Sequence, residues 1–333
     1  MKVSLVICTW NRARLLDQTL TGLRVLQIPD GVAWEVLVVN NNCTDNTDEV
    51  IARHQNSLPV RRLFEPKGGK SHAANLAVSQ VTGDLIVWTD DDVLVQADWV
   101  AQYLRAARDW PDAVCFAGII DPWFEKEPPS WIRRHIDRLK GAYVIVNYGD
   151  TERPLKPSDG VFGANMAFRT SIAREFPFNV RLGRNQGSLL GGEDVEIVQR
   201  MMRSGYHGVW VPSARINHFI SSERLTKHYI WKWYHGSGLT FVRQGGLSDC
   251  QYLWDAPRWV IKQYCLETLK AWFYSPFKGP RWFQSFIEAA RYRGVIEEAR
   301  AARREARTHA RNDVLPVEST PQPHTQPGTT EEG

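Results

Sequence analysis

The chain has 333 residues, 43% hydrophobic and 23% charged, an ordinary composition for a folded globular protein of one large or two small domains. Its formal net charge of +4 is too small to indicate a nucleic-acid partner, and none is expected. The five cysteines are scattered with no CxxC pair, which argues against a disulfide framework or a zinc site and fits reduced thiols in the cytoplasm.

Taken in chain order, "VSLVICT" (3–9) is short, apolar and rich in Val and Ile, as a buried strand is. The apolar run at the start is too short for a signal peptide. Residues 12–26 carry apolar side chains at helical spacing, "WEVLVVN" (34–40) reads as a second buried strand, and 45–55 as a helix with acids in its first turn. A weaker strand (60–65), a helix (70–81) and a fourth strand, "GDLIVWTD" (83–90), complete a β-α-β-α-β-α-β rhythm. That rhythm predicts a mostly parallel, Rossmann-like sheet with helices on both faces, whose ligands bind at the carboxyl ends of the strands. A helix follows at 98–110, and residues 111–160, with "DPWFEKEPPSWIRRHI", read as a strand plus a long insertion. A glycine turn leads into a strand and helix start (158–173), then a helix at 191–205 and a strand at 207–218. From 223 to 311 the pattern is helical, aromatic and increasingly basic, and from 312 the Pro- and Thr-rich remainder is expected to be disordered. The expected organisation is therefore a catalytic domain over 1–222, with halves 1–110 and 111–222, a helical extension over 223–311 and a tail over 312–333.

Three carboxylates in a row, Asp90, Asp91 and Asp92, end the fourth strand. Adjacent like charges repel, so something must offset them. Hard divalent cations take carboxylate oxygens, and Mg²⁺ is typically shared between one or two carboxylates and substrate phosphates. Asp90 and Asp92 can both face one crevice there, with Asp91 expected to point away and to have no role. The plain alternative is a solvated acidic loop. Asp-x-Asp phosphatases also place such a pair at a strand end, but on the first strand of the domain. "GGKS" (68–71) lacks the earlier glycine of a phosphate-binding P-loop, since Phe64 stands there, and remains a glycine turn before a helix N-terminus bearing Lys70. "GGEDVE" (191–196) opens a helix with Glu193 and Asp194, either first-turn acids complementing the helix dipole or part of the same crevice. His218 follows a strand and becomes a metal ligand only if it lies near the aspartates. Gly163 permits close backbone approach, and Asn165 offers a hydrogen-bonding amide.

Read together, "VSLVICTWNR", "VVNNNCTDNT", "GGKSHAANLAV", "WTDDD", "FGANMAFR", "GGEDVE" and "VPSARINH" resemble, in type and order, the motifs of family 2 glycosyltransferases of the GT-A fold, over residues 3–220. The resemblance implies that Thr9, Asn11 and Arg12 lie beside a nucleotide. It puts Asn41 at the base, in place of a frequent Asp, and Lys70 near the diphosphate. Asp90 would serve ribose or metal, and Asp92 and His218 would hold Mg²⁺ or Mn²⁺. Asp194 would be the general base and Glu193 would orient the acceptor. The implied activity is inverting transfer from a nucleotide-sugar, UDP-linked as the first guess, to a polysaccharide or lipid-linked hydroxyl. A sugar-nucleotide transferase and a non-catalytic scaffold of the same fold are the competing readings. In the extension, "YIWKWYHGSGLTF" and "WVIKQYCLETLKAWFYSPFKGPRWF" mix aromatics with cations. That mixture suits either packing on the catalytic domain or peripheral contact with the inner face of the membrane, since no run reaches the about 20 apolar residues of a span.

Overall fold

The computed structural model describes residues 1–185, 189–247 and 250–312. The expected alternation is present: β1 (Val3–Thr9), α1 (Ala13–Leu23), β2 (Trp34–Asn40), α2 (Thr47–His54), β3 (Val60–Phe64), α3 (Lys70–Gln80) and β4 (Leu85–Thr89). The short strand β5 (Val93–Val95) follows at once, then α4 (Trp99–Asp109) and the long β6 (Cys115–Phe124). The insertion holds two short helices, α5 (Ser130–Arg134) and α6 (Ile136–Tyr143), and the two-residue β7 (Arg153–Pro154). Then come β8 (Met166–Arg169), α7 (Thr170–Glu175), α8 (Glu193–Arg203) and β9 (Gly208–Ile220), which runs two residues past the expected end. The C-terminal region is helical: α9 (Lys227–Arg243), a small hairpin of β10 (Tyr252–Leu253) and β11 (Ala256–Pro257), α10 (Arg258–Phe273) and α11 (Pro280–Asn312). Beyond Asn312 the expected disordered tail lies outside the described residues.

The nine-stranded sheet has the order β3-β2-β1-β4-β8-β6-β9-β5, with β7 also on β9. β1 to β4 are mutually parallel, whereas β8 runs antiparallel between β4 and β6. The buried apolar strands read from sequence are buried because helices cover both faces: Val3, Leu5, Val6 and Ile7 are wholly enclosed. Register lines up the carboxyl ends, with Thr9 opposite Asn40 and Ile7 opposite Thr89, so the loops after β1, β2 and β4 open into one crevice.

The aromatic residues divide. A second apolar cluster joins the insertion to the C-terminal helices through Ile132, Leu139, Tyr143, Ile230, Tyr234, Phe283 and Ile287. Helices α9 and α11 cross at their glycines, where a Cβ on Gly238 would overlap the Arg291 carbonyl and one on Gly294 would overlap that of His235. On α10 and its flanking turns, by contrast, Trp254, Trp259, Trp272, Phe273 and Phe277 are exposed.

Candidate active site

A crevice of about 580 Å³ lies at the carboxyl ends of the central strands, and it brings together most of the residues singled out from sequence: Thr9, Asn11, Arg12, Asn41, Lys70, Asp90, Asp92, Glu193, Asp194 and His218. Each aspartate of the triplet has a cationic partner, and Asp91 and Asp92 share Arg12. Lys70 Nζ donates to Asp90 Oδ1 at 2.7 Å. Asp91 accepts from Thr9 Oγ1 at 2.7 Å and from Arg12 Nη1 at 2.9 Å. Asp92 Oδ2 accepts from Arg12 Nη1 at 3.1 Å and from Arg224 Nη2 at 3.0 Å. Asp91 therefore does not point away. It is buried, and it positions Arg12 and Thr9, which corrects the expectation that it has no role.

Burial pushes the Asp92 carboxyl up, but His218 together with Arg12 and Arg224 holds it well below the usual carboxylate range. Burial also works on Asp90, where the Lys70 ammonium prevails and the pKa is lowered; on Asp91 burial prevails over Arg12 and the pKa is raised. The three carboxyls thus differ because their partners differ.

His218 reaches Asp92 through β5. The antiparallel β5–β9 pairing sets Val93 against His218, and the Phe219 amide donates to the Asp92 carbonyl at 2.8 Å. His218 Nδ1 lies 3.0 Å from the Tyr143 carbonyl, which can only accept, so Nδ1 carries a hydrogen. In the neutral ring Nε2 then turns a lone pair toward Asp92 Oδ1, 3.3 Å away. Among the described residues, Asp92 Oδ1 is buried with no hydrogen-bond partner. Asp90, Asp92 and His218 offer ligand atoms all within 4.8 Å of one another. Two carboxylate oxygens and one imidazole nitrogen, one of the oxygens orphaned, fit a divalent cation such as Mn²⁺ or Mg²⁺.

The second acidic pair lines the same crevice. Gly192, at φ +89°, turns the chain into α8, and there Asp194 Oδ2 accepts from the Gly163 amide at 2.8 Å and Oδ1 from the Val195 amide at 2.9 Å. Burial raises the pKa of Asp194 against the pull of Lys70. Burial and the neighbouring Asp194 lift Glu193 to about 7. Lys70 Nζ, 3.8 Å from Glu193, links this pair to the triplet.

The structure changes one expectation, for Asn165, and adds detail for Gly163, Asn41 and Asn11. Asn165 does not face the crevice. Its amide is enclosed, accepting from Trp99 Nε1 and Tyr103 Oη and donating to the Ile119 and Ala214 carbonyls, so it ties β6, β9 and α4 together. Gly163 acts through its N–H, and a Cβ there would stand 3.3 Å from Lys70 Nζ. The Asn41 amide donates to the Glu65 and Lys67 carbonyls and accepts from Gly69 N, holding the glycine turn that presents Lys70. Asn11, at φ +51°, accepts from the Thr44 amide at 2.7 Å and joins the loops after β1 and β2.

Two contributors escaped the sequence reading. Arg224 lies in a single 3₁₀ turn after β9, and its Nη1 is buried without a partner among the described residues. Trp233, Ser237, Thr240, Phe241 and Gln244 of α9 form the far wall, where Thr240 Oγ1 donates to the Gly191 carbonyl at 3.2 Å and Gln244 Nε2 to that of Gly192 at 3.3 Å. Their spacing of three or four residues along one helical face is a signal visible in sequence, but nothing there says what the face covers.

A Rossmann-like mixed sheet with acidic residues at its strand ends and a helical C-terminal region is the arrangement of the GT-A fold. Residues 4–176, half of the chain, match the sequence model of Glycosyl transferase family 2, and the chain belongs to that family. It is 23% identical over 248 residues to the succinoglycan biosynthesis protein ExoM of Rhizobium meliloti (strain 1021), covering 73% of this chain and 75% of that protein. Among solved structures it is similar to the mannosyltransferase PcManGT from Pyrobaculum calidifontis in complex with GDP-Man and Mn²⁺, with a TM-score of 0.55, 18% identity and coverage of 93% of this chain and 79% of that one. It is also similar to residues 1–349 of S. aureus TarS in complex with UDP, with a TM-score of 0.52, 15% identity and 92% coverage of each chain.

Proposed function

We propose that this glycosyltransferase moves a sugar from a nucleotide-sugar to a hydroxyl of a polysaccharide or lipid-linked acceptor, with inversion at the anomeric carbon. The observation that carries the reading is the meeting, in one crevice, of the Asp90–Asp92–His218 cluster with Asp194. In this reading residues 1–222 form the catalytic domain, with a donor half over 1–110 and an acceptor half over 111–222, and the extension over 223–311 completes the acceptor wall through α9. The donor's nucleotide lies along Thr9, Asn11, Arg12 and the Asn41 loop, and Lys70 faces its diphosphate. A UDP-linked donor is the first candidate, supported by the motif order and by the UDP held in the TarS structure; the GDP-Man held in PcManGT makes the guanine nucleotide its rival. Asp90, Asp92 and His218 would hold Mg²⁺ or Mn²⁺, which when bound neutralises charge on the departing diphosphate.

Asp194 accepts the proton of the acceptor hydroxyl. The hydroxyl oxygen forms the new bond to the anomeric carbon from the face opposite the nucleotide, and the old carbon–oxygen bond breaks with its electron pair going to the diphosphate. A raised carboxyl pKa makes Asp194 a better base, and its two backbone hydrogen bonds fix its direction. Glu193 orients the acceptor. This reading sets the protein in the cytoplasm, against the inner face of the membrane where such acceptors are built. Among the described residues no helix is long and apolar enough to cross a membrane.

The test is calorimetric titration of UDP, GDP, ADP and CDP, with and without Mn²⁺, on the wild type and on Asp90→Asn. Binding of one nucleotide that needs both Mn²⁺ and Asp90 supports the reading and names the donor class. Nucleotide binding indifferent to the metal and to Asp90 overturns it.

A further inference from the structure

The aromatics that the core does not absorb are concentrated on one element. Helix α10 buries a single side chain completely, Val260, and packs by that side against α11. Its opposite side carries Lys262, Leu266, Leu269 and Phe273 at intervals of three and four residues, one continuous helical face, while Trp259, partly exposed, stands edge-on to Tyr292 of α11. Trp272 lies beside that face and Phe277 in the turn that follows, both 76% exposed. Single exposed apolar residues are common on proteins, but a contiguous row of Trp, Phe and Leu is not.

Charge narrows the choice of occupant. Between residues 256 and 281 stand five cations, Arg258, Lys262, Lys270, Lys278 and Arg281, and a single acid, Glu267, which Lys270 neutralises at 2.7 Å. The groove between α10 and α11 continues the pattern, lined by Tyr264, Arg293, Arg300 and Arg304 with Glu297 as its one acid. A two-fold copy of the chain would set this cationic face against itself. An anionic lipid surface meets both halves of the pattern: Trp and Phe settle at the headgroup level, and long Lys and Arg side chains lie along apolar surface with their charges among phosphates.

We propose that the outer face of α10, with the turn through Phe277, is an in-plane docking surface for an anionic phospholipid bilayer. Neither the cluster of acids in the crevice nor the nucleotide takes part in it. The surface stands whether or not the proposed function holds; what rests on that function is the consequence. Helix α11 packs along both α10 and α9, and α9 is the crevice wall, so lipid docking fixes the acceptor side of the enzyme relative to a lipid-linked substrate.

The test is flotation of the full chain with phosphatidylcholine vesicles, with and without phosphatidylglycerol, at low and high salt. The wild type is expected to bind the phosphatidylglycerol vesicles and to be released by salt. Trp272→Ser/Phe273→Ser/Phe277→Ser is expected to lose about tenfold or more in affinity, as is Lys262→Gln/Lys278→Gln, the latter with a weaker salt dependence. Val180→Ser, an exposed apolar position away from this face, is expected to bind like the wild type. Nucleotide binding in solution and melting temperature should be unchanged in all of them. Should the triple variant melt early, Trp272→Ser and Phe277→Ser singly replace it. Failure of the wild type to bind the anionic vesicles overturns the proposal, as does unchanged binding by the apolar variants. A vesicle-free dimer that the apolar variants convert to monomer also overturns it, by giving the face to a second copy. Failure of the wild type to bind any of the nucleotides, with vesicle binding intact, overturns the proposed function instead.

Discussion

Replacing Asp92 by Ala tests whether the carboxylate triplet is held by the protein's own cations. The Asp92 side chain is 1% exposed, and its Oδ2 accepts from two guanidinium groups, those of Arg12 and Arg224. Arg224 is itself 9% exposed at the side chain, and among the described residues its Nη1 has no partner and Asp92 is its ion-pair partner, so Asp92→Ala strands a buried cation. Breaking a buried pair in this way costs about 3–5 kcal/mol, and relief of the repulsion from Asp91 offsets a part. At about 2 °C per kcal/mol for a chain of this size, the melting temperature should fall by about 6–10 °C. Asp90 is the control. Its side chain is 24% exposed and pairs with a Lys70 that is 26% exposed and keeps Glu193 nearby, so Asp90→Ala should cost about 1 kcal/mol or less. The assay is thermal unfolding by circular dichroism in chelator, repeated with Mn²⁺. The wild type should be stabilised by the metal and neither variant should be. An Asp92→Ala protein that melts within about 2 °C of wild type, or an Asp90→Ala protein that melts equally early, refutes the reasoning.

Three further outcomes follow from the structure. Glu193 titrates near 7 in the folded chain against 4.5 in the unfolded one, so it binds more protons when folded, and the stability it contributes declines as pH rises from 4.5 to about 7. Glu193→Gln should therefore gain on the wild type across that window by about 1.4 kcal/mol per pH unit at most and hold a constant lead above it; a lead independent of pH in urea titrations counts against the shift. Asp194→Asn should lose about 10²–10⁴-fold in turnover with nucleotide affinity unchanged, and a variant that turns over normally removes Asp194 as the base. Gly238→Ala should push α9 off the Arg291 carbonyl and destabilise by about 1–3 kcal/mol, measured by urea unfolding; an unchanged midpoint would show that the crossing has slack.

The alternation of apolar runs with amphipathic stretches determined the sheet and its helices, because strand and helix periodicities are local and β1 to β4 follow one another in the chain. The triplet at the end of β4 and the pair at the start of α8 were legible for the same reason: each sits at a boundary that periodicity marks. Only the tertiary structure decided what meets across the crevice. His218 reaches Asp92 through a three-residue strand too short to show a period, and Arg224 arrives from a single 3₁₀ turn. Asp91 turned inward because Arg12 and Thr9, on the neighbouring loop, offered it partners, and Asn165 turned into the core because four groups there needed its amide. The aromatic C-terminal stretch was ambiguous for a physical reason as well. Trp and Phe beside cations suit a packed interface and a lipid surface equally, and only the contacts separate Trp282 and Phe283, which are buried, from Trp272 and Phe277, which are not.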